Sequence, residues 1–565
     1  ASLYPICLYS QQVLTMATSD KYDRQLRLWG AEGQKALMNS HILLINADAT
    51  GTECLKNLVL PGLGHFTIID EAIVRDQDAC TNFFTPAAAI GRSRAEVAAE
   101  YLCEMNPDVN GLFKTSTVEK ELELDPNYLK TFFLVVLSNP TLPQCHLVSS
   151  KCWDLSIPLI VVRSYGFIGT YRFQTREEHN IIEARPDGDL PDLRLHAPFR
   201  ELEEFCHGFD LSSQDSVEHS HTPYVVILIQ ASCKWKSEHG GTMPRSYAEK
   251  KEFKALVESM RRPGAIEELN YTEAVAHAHR VFSESAIPDN VQMLLADTPE
   301  NLSTNATDFR VLLHALRTFI RVHGEGHLCP LKGSIPDMTS TNENFVALQK
   351  IYMQKGEEDR VSFSRIVGDS LESIHRPRNS ISMDVIDLFC KNIFNLQAVV
   401  TSAVKDAFYT PNRNSVQEAL LDAYDDPLQT PLLFLMALEA ADEFYITNCR
   451  YPGQLVTNDD SSDSVQLETD SRELWEILVR VAQRYGAPFC QDMNPEEPAD
   501  TRAILTPAHA QEIARYGAAE LHNISSFMGG LASQEAIKIL THMYVPLNNT
   551  FVFNGIAGCG GCYEL

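Results

Sequence analysis

The residues best suited to chemistry lie in a six-residue turn, Asn46-Ala47-Asp48-Ala49-Thr50-Gly51, between the apolar run His41–Ile45 and a helically spaced stretch over residues 53–60. In a mononucleotide-binding βαβ unit this is the place where glycines let the backbone approach phosphate and a helix N-terminus holds the negative charge. A second apolar run, His65–Ile69, ends at Asp70, 19 positions past Gly51, where an acidic residue would meet a ribose. The turn nevertheless departs from a working one. Only Gly51 survives of the G-x-G-x-x-G pattern; Asn46 takes the first place and Asp48 the middle one. An Asp48 carboxylate facing phosphate oxygens costs about 4 kcal/mol per unit-charge pair at ~4 Å and an effective dielectric of ~20, enough to abolish useful ATP affinity. Its own residues therefore make the turn a Rossmann-like packing unit with no ligand.

Cysteine is the other chemistry-bearing residue. Cys559 and Cys562 have zinc-knuckle spacing, but a structural zinc needs four ligands and the sequence holds no second CxxC, so the pair reads as incidental in a flexible, glycine-rich tail and no metal is expected. A thioester-forming cysteine needs exposure, a lowered pKa and an acceptor surface. Cys206, Cys233, Cys329, Cys390 and Cys449 carry no flanking signature of that kind and are expected to be buried structural thiols.

Positioning the turn requires alternating strands and helices, and the first part of the chain supplies them. A short helix over residues 22–29 is punctuated by Gly30 and Gly33; further on, helical spacing at 92–105 and apolar runs at 132–137 and 158–162 continue the alternation. Strand-like runs then disappear between about 225 and 485, where long helical patterns take over. The acidic, Ser-rich stretch 458–470 reads as a mobile loop within that region. The expected domains are a flexible extension at 1–20, the first part of an adenylation-like domain at 21–224, a helical insert at 225–485 and the second part of the domain at 486–565.

Composition narrows the function classes. With 565 residues, 44% apolar, the chain can bury several cores. Its 47 Lys+Arg against 75 Asp+Glu give a formal charge of −28, which repels polyphosphate backbones and excludes nucleic acid as the main ligand. The longest apolar runs fall far short of the ~20 residues of a membrane-spanning helix. The 14 scattered cysteines form no disulfide framework and no leader pattern is evident, so reduced thiols in cytosol or nucleus are expected.

Four stretches, in this order, are similar to the adenylation fold of ubiquitin-like-modifier-activating enzymes, a ThiF/MoeB-like family. They are Tyr22-Asp23-Arg24-Gln25; the strand, turn and helix with Lys56-Asn57-Leu58; Gly91-Arg92-Ser93-Arg94-Ala95-Glu96; and Gly529-Gly530-Leu531-Ala532-Ser533-Gln534-Glu535-Ala536-Ile537-Lys538. The resemblance implies an α/β class: a Rossmann-like fold with a mixed, largely parallel sheet, interrupted by a large helical insert. Such folds work in pairs, one active and one inactive, and this chain resembles the inactive half. Where an active half has a magnesium-binding Asp two residues beyond the ribose acid, this chain has Ala72 after Asp70. Thr81 stands in place of an Arg, Arg94 in place of a phosphate-contacting Lys, and Ser138 in place of a catalytic Asp.

The resemblance therefore implies a degenerate pocket (Asn46, Asp48, Gly51, Asp70, Ala72, Arg94, Ser138), no cofactor bound by this chain, and MgATP held by a catalytic partner that also carries the reactive cysteine. It assigns one catalytic role here, to Arg24, reaching in trans into the partner's ATP site. Among inactive halves the sumoylation partner lacks a large helical insert, and the fused ubiquitin-activating enzyme carries both halves in one longer chain. The chain resembles the neddylation branch, through Asp192-Leu193-Arg194-Leu195, His221-Thr222-Pro223-Tyr224, Ile335-Pro336-Asp337-Met338, Leu348-Gln349-Lys350-Ile351-Tyr352, Arg450-Tyr451-Pro452-Gly453 and Arg515-Tyr516-Gly517-Ala518-Ala519-Glu520. Implied partners are the catalytic subunit, a ubiquitin-like modifier and a conjugating enzyme, in cytoplasm and nucleus. The alternatives are the inactive subunit of the sumoylation-activating enzyme, a scaffold with a borrowed fold, and a free-standing nucleotide-dependent enzyme.

Overall fold

A computed structural model describes residues 21–186, 192–262, 267–282, 287–423, 426–454, 460–488 and 504–565. The expected extension at 1–20 lies outside them. Contacts divide the chain into a helical unit at 180–397 and a sheet unit made of the chain before 180 and from 398 to the end. Among the described residues no helix is long and apolar enough to cross a membrane.

The sheet unit begins with α1 (Asp23–Met38), bent where Gly30 leaves helical geometry at φ +68°. Next come β1 (His41–Ile45), α2 (Ala49–Val59), β2 (His65–Ile69), α3 (Arg94–Met105), β3 (Asn110–Lys114), β4 (Leu134–Ser138), α4 (Leu142–Asp154), β5 (Leu159–Tyr165) and β6 (Ile168–Gln174). After the helical unit the chain adds α5 (Pro431–Asn448), α6 (Asp460–Tyr485), α7 (Pro507–Tyr516), α8 (His522–Thr541), β7 (Thr550–Asn554) and β8 (Cys559–Tyr563). The eight strands form one sheet in the order β8-β7-β6-β5-β4-β1-β2-β3. Strands β1 to β5 pair in parallel, and β6, β7 and β8 join antiparallel, so the sheet is mixed as expected.

Every residue of β1 and β4 is buried, as in a parallel strand covered on both faces, which is why His41-Ile42-Leu43-Leu44-Ile45 reads as an unbroken apolar run. Leu44 sits in register with Ile68 on one side and Val136 on the other, which centres the turn after Ile45 in the sheet. One face packs Leu43, Ile45, Val135 and Leu137 against Val148 and Cys152 of α4. Helices α2 and α8 pack closely against each other. A Cβ on Gly529 would lie 2.7 Å from Glu53 Cβ and 2.8 Å from Cys54 N, so Gly529 permits a contact that a larger residue would prevent.

The contact boundaries differ from the 225 and 485 drawn from sequence. Residues 180–224 belong to the helical unit and 398–485 to the sheet unit. Helix α5 explains the second shift, because it is apolar around most of its circumference and buries Leu432, Phe434, Met436 and Leu438 in one cluster with Tyr165, Ile168, Leu478, Ile513 and Val552. Helical periodicity alone could not tell which core claims such an element. The expected mobile loop at 458–470 is corrected as well: 458 and 459 lie outside the described residues, but 460–470 opens α6. Asp470 is buried there, pairs with Arg450 through Nη2 at 2.7 Å and accepts the Gly453 N–H at 2.8 Å, which anchors an otherwise polar segment.

Strand β8 corrects a further expectation. Cys559 and Cys562 lie in a strand paired along its length with β7, not in a flexible tail, and their odd spacing turns them to opposite faces. In the helical unit, Tyr224–Glu238 is buried along most of its length. The Asp192-Leu193-Arg194-Leu195 motif there serves structure, since Tyr352 of Asn342–Ser373 donates to the Leu193 carbonyl at 2.6 Å.

Gly453 offers a stability test. It adopts φ +79°, and a Cβ built on it would sit 1.7 Å from the Ala514 carbonyl oxygen. Gly453→Ala is expected to destabilise the protein by at least ~2 kcal/mol, read as a fall in melting temperature of about 4 °C or more in differential scanning fluorimetry.

Candidate functional site

The turn leaving β1 is built around a left-handed residue. Asn46 has φ +70°, a conformation in which Asn is among the few tolerated non-glycine residues, so it replaces the first glycine without removing the turn. Its side-chain Nδ2 donates to the Ser138 carbonyl and to Gln144 Oε1, both at 2.8 Å. Gly51 is where the backbone packs most closely: a Cβ there would come within 2.7 Å of the Asn46 carbonyl and 2.9 Å of Leu44 Cδ1. Asn82 braces the turn from outside, donating to the Ala47 carbonyl at 3.2 Å and accepting from Thr52 Oγ1 at 3.0 Å.

Asp48 does not face an open phosphate slot as the sequence suggested. It caps α2, accepting the Gly51 N–H at 2.9 Å, and accepts a hydrogen bond from Ser138 Oγ at 2.6 Å. Only 7% of the residue is exposed. Burial, and after it the charge of Glu520, push its carboxyl above the usual carboxylate range, with Arg94, Ser138 and the Gly51 N–H acting in the opposite direction.

Glu520 was named in the sequence only as the end of a motif, and it is the main residue that reasoning missed. Its carboxylate accepts the Ala49 N–H at 3.2 Å, the Thr50 N–H at 3.1 Å, Thr50 Oγ1 at 2.7 Å and Asn139 Nδ2 at 2.8 Å. The first-turn donors of α2, which would otherwise receive an anion, are thus taken by a residue 470 positions away from Thr50. No local pattern could have revealed it.

The ribose and phosphate positions are also filled. Asp70 accepts the Ala47 N–H and the Ala72 N–H, each at 2.8 Å, and Arg94 Nε at 2.7 Å. Arg94 Nη1 reaches Asp78 Oδ1 at 3.0 Å. Burial alone would lower the Arg94 guanidinium; the carboxylates of Asp70, Asp48 and Asp78 overcome it and hold the group cationic. The structure thus brings Asn46, Asp48, Gly51, Asp70, Ala72, Arg94 and Ser138 together as one cluster, but their polar groups are directed at each other. These residues do not fit a nucleotide: an anion at α2 would have to displace Glu520, and a ribose would have to displace bonds to Asp70.

Arg24 stands apart from this cluster. It is exposed on α1 and has no ion-pair partner among the described residues, whereas its neighbour Arg27 pairs with Asp23 at 2.9 Å. Of the five cysteines expected to be buried thiols, Cys206, Cys329 and Cys390 are buried, but Cys233 and Cys449 are exposed. Cys233 Sγ lies 3.8 Å from His207 Nε2, yet partial burial raises its thiol above the ordinary value, the wrong direction for a nucleophile. Among the described residues no group of three or more His, Cys, Asp or Glu could hold a metal ion.

The fold and this turn define an adenylation-type α/β protein, and a family model described as the ThiF family matches residues 22–558; the chain belongs to that family. Its full-length likeness lies with one branch. A protein of Xenopus laevis named NEDD8-activating enzyme E1 regulatory subunit is 38% identical over 96% of this chain and 98% of its own length. The Arabidopsis thaliana NEDD8-activating enzyme E1 regulatory subunit AXR1 is 36% identical over 95% of this chain and 94% of its own, and the Saccharomyces cerevisiae protein of the same description is 26% identical over 97% and 100%.

The buried Asp48 gives a pH prediction. Its folded pKa is raised, so between the ordinary carboxylate range and the folded value the native state holds a proton the unfolded chain has lost. This contribution to stability is present at low pH and lost as pH rises through the folded pKa. Asp48→Asn keeps an N-cap acceptor without the titration, so it is expected to flatten the fall in melting temperature between about pH 5 and pH 8. Parallel pH series on the two proteins check it.

Proposed function

We propose that the chain is the regulatory half of a two-subunit NEDD8-activating enzyme whose catalytic partner supplies both the MgATP site and the cysteine that takes up the modifier. The observation that carries this reading is the internal pairing at the β1–α2 turn: the N–H groups of Ala49, Thr50 and Gly51, the Thr50 hydroxyl and Arg94 Nε all donate to carboxylates of this chain. The whole-length likeness to E1 regulatory subunits supports the branch, and nothing favours the sumoylation subunit, the scaffold or the free-standing nucleotide enzyme.

In this reading the complex adenylates the modifier's C-terminal glycine, transfers it to the partner's cysteine and passes it to a conjugating enzyme. This chain forms no covalent bond to the modifier. It contributes the companion fold and one charged group, Arg24, which stabilises charge on the leaving pyrophosphate in the partner's site as an arginine finger does. The exposed and unpaired state of Arg24 supports that role. Neither nucleic acid nor membrane is a partner in this reading, and the complex works in cytoplasm and nucleus.

Arg24→Ala is expected to leave the heterodimer assembled while lowering modifier-dependent ATP–pyrophosphate exchange by about a hundredfold, equivalent to ~3 kcal/mol of transition-state stabilisation. Lys at this position restores only part, because it keeps the charge without the planar fork. Exchange at the wild-type rate from Arg24→Ala would sink the role. On a non-reducing gel of the charged complex, no reductant-sensitive modifier adduct is expected on this chain; one that vanished with Cys233→Ser would overturn the assignment of the cysteine to the partner.

A further inference from the structure

We infer that Glu520 is a built-in stand-in for an anionic ligand, whose carboxylate holds the β1–α2 turn permanently in a ligand-satisfied arrangement. The inference rests on the reading that this chain has no nucleotide site of its own, and it says what has taken that site's place.

The donor set is the first argument. Two consecutive backbone N–H groups at the start of an 11-residue helix, the hydroxyls of Thr50 and Ser525 and one side-chain amide converge on a single carboxylate, at 3.2, 3.1, 2.7, 3.4 and 2.8 Å. Donors from a helix N-terminus joined by a hydroxyl make up the kind of set that binds phosphate-class anions, and charge-assisted bonds of this kind are about twice as strong as neutral ones.

The second argument is how firmly each participant is held. Asn139 adopts φ +38°, and its Oδ1 accepts the Ser164 N–H at 2.8 Å, which leaves Nδ2 aimed at Glu520. Glu520 is itself delivered by a backbone bridge to Gly166, next to a Gly166 N–H bond to the Ala519 carbonyl at 2.8 Å. The carboxylate is therefore not a surface side chain that happens to lie nearby. It is fixed between the β5–β6 corner and the first residues of α8, and it ties the segment after α7 to the turn at residues 49–50 and the end of β4.

The consequence is functional. In a fold whose turn is filled by a free anion, the geometry around α2 changes with occupancy. Here the anion is covalently part of the chain, so this half stays in one state whatever the nucleotide concentration.

The test uses the full chain and the variants Glu520→Ala, Glu520→Gln and Asp48→Asn/Glu520→Ala, with inorganic phosphate and pyrophosphate as probes. Wild type is expected to show no saturable phosphate-dependent rise in melting temperature. The double variant, which keeps an N-cap acceptor at 48 and removes the Glu520 carboxylate, is expected to melt about 3 °C or more lower in phosphate-free buffer and to recover part of that loss saturably with millimolar phosphate, but not with chloride at equal ionic strength. Glu520→Gln should fall between, since its amide oxygen still accepts a bond without the charge. Wild-type melting by Glu520→Gln and Glu520→Ala overturns the inference. So does loss of stability with no anion recovery, which would reduce Glu520 to packing. If Glu520→Ala fails to fold, Glu520→Gln decides alone, through a lowered melting temperature or an unchanged one. Calorimetric binding of ATP to the wild-type chain is a separate outcome: it would defeat the no-nucleotide reading, whereas failure of the variants with no wild-type binding would defeat only the stand-in.

Discussion

The first turn of a helix leaves backbone N–H groups that some acceptor must satisfy, and at the centre of this sheet the chain satisfies them with two of its own carboxylates. Asp48 takes the Gly51 N–H; Glu520 takes those of Ala49 and Thr50. Once these two acids stand side by side the surrounding residue types follow. A carboxylate at 138 would put further negative charge beside Glu520 and an Asp48 carboxyl already pushed above its usual range, whereas Ser138 donates a hydrogen bond to Asp48. Arg94, half-buried beside Asp70, Asp78 and Asp48, offsets part of the negative charge there from the other side. Substitutions that look like scattered losses of an active site are, in the fold, mutually dependent partners of one network.

That dependence explains what was legible in the sequence. The strand His41–Ile45, the break at Asn46, the packing glycine Gly51 and the acid at Asp70 announce themselves through run length, turn chemistry and spacing, all local properties. The expectation that no nucleotide binds this chain rests on a different physical footing in the sequence than in the fold. An exposed Asp48 repelling phosphate was the sequence argument; in the structure Asp48 is turned inward and buried, and the slot belongs to Glu520. A contact bridging 470 residues has no signature in either segment, since Thr50 reads as an ordinary helix start and Glu520 as an ordinary polar residue before a helix.

The same limit governs the domain boundaries and the cysteines. Helix periodicity identified α5 as helical, yet a helix buried around most of its circumference does not say which core it enters, and the cluster with Tyr165 and Val552 assigns it to the sheet unit. Arg450 and Asp470 likewise appear in the sequence as a motif residue and one member of an acidic run. Their pairing across 20 positions ties that helical run to the Arg450 segment, a contact neither stretch announces. Cys233 and Cys449 were grouped with the buried thiols because nothing around them differed; their exposure depends on where each helix ends and which face meets solvent.

Arg24 shows how a single exposed charge gains its place from buried neighbours. In the role proposed for Arg24, the side chain must be presented at a fixed point, within a fraction of an ångström, to a reaction centre its own fold does not contain. Helix α1 meets that need through the residues on its inner side. Tyr22, 1% exposed, accepts from Asn106 Nδ2 at 3.0 Å. Trp29 donates to Gln34 Oε1 at 2.9 Å, and Gln34 in turn donates to the Pro61 carbonyl at 2.8 Å. The first anchor is two residues before Arg24 and the second five residues after it, so the intervening turn is clamped at both ends before the backbone breaks at Gly30. A side chain with no ion-pair partner among the described residues, set on a helix anchored at both ends, keeps its charge available while its backbone is held. Rigidity on the buried face is thus what the proposed action of Arg24 at a partner's site requires of α1.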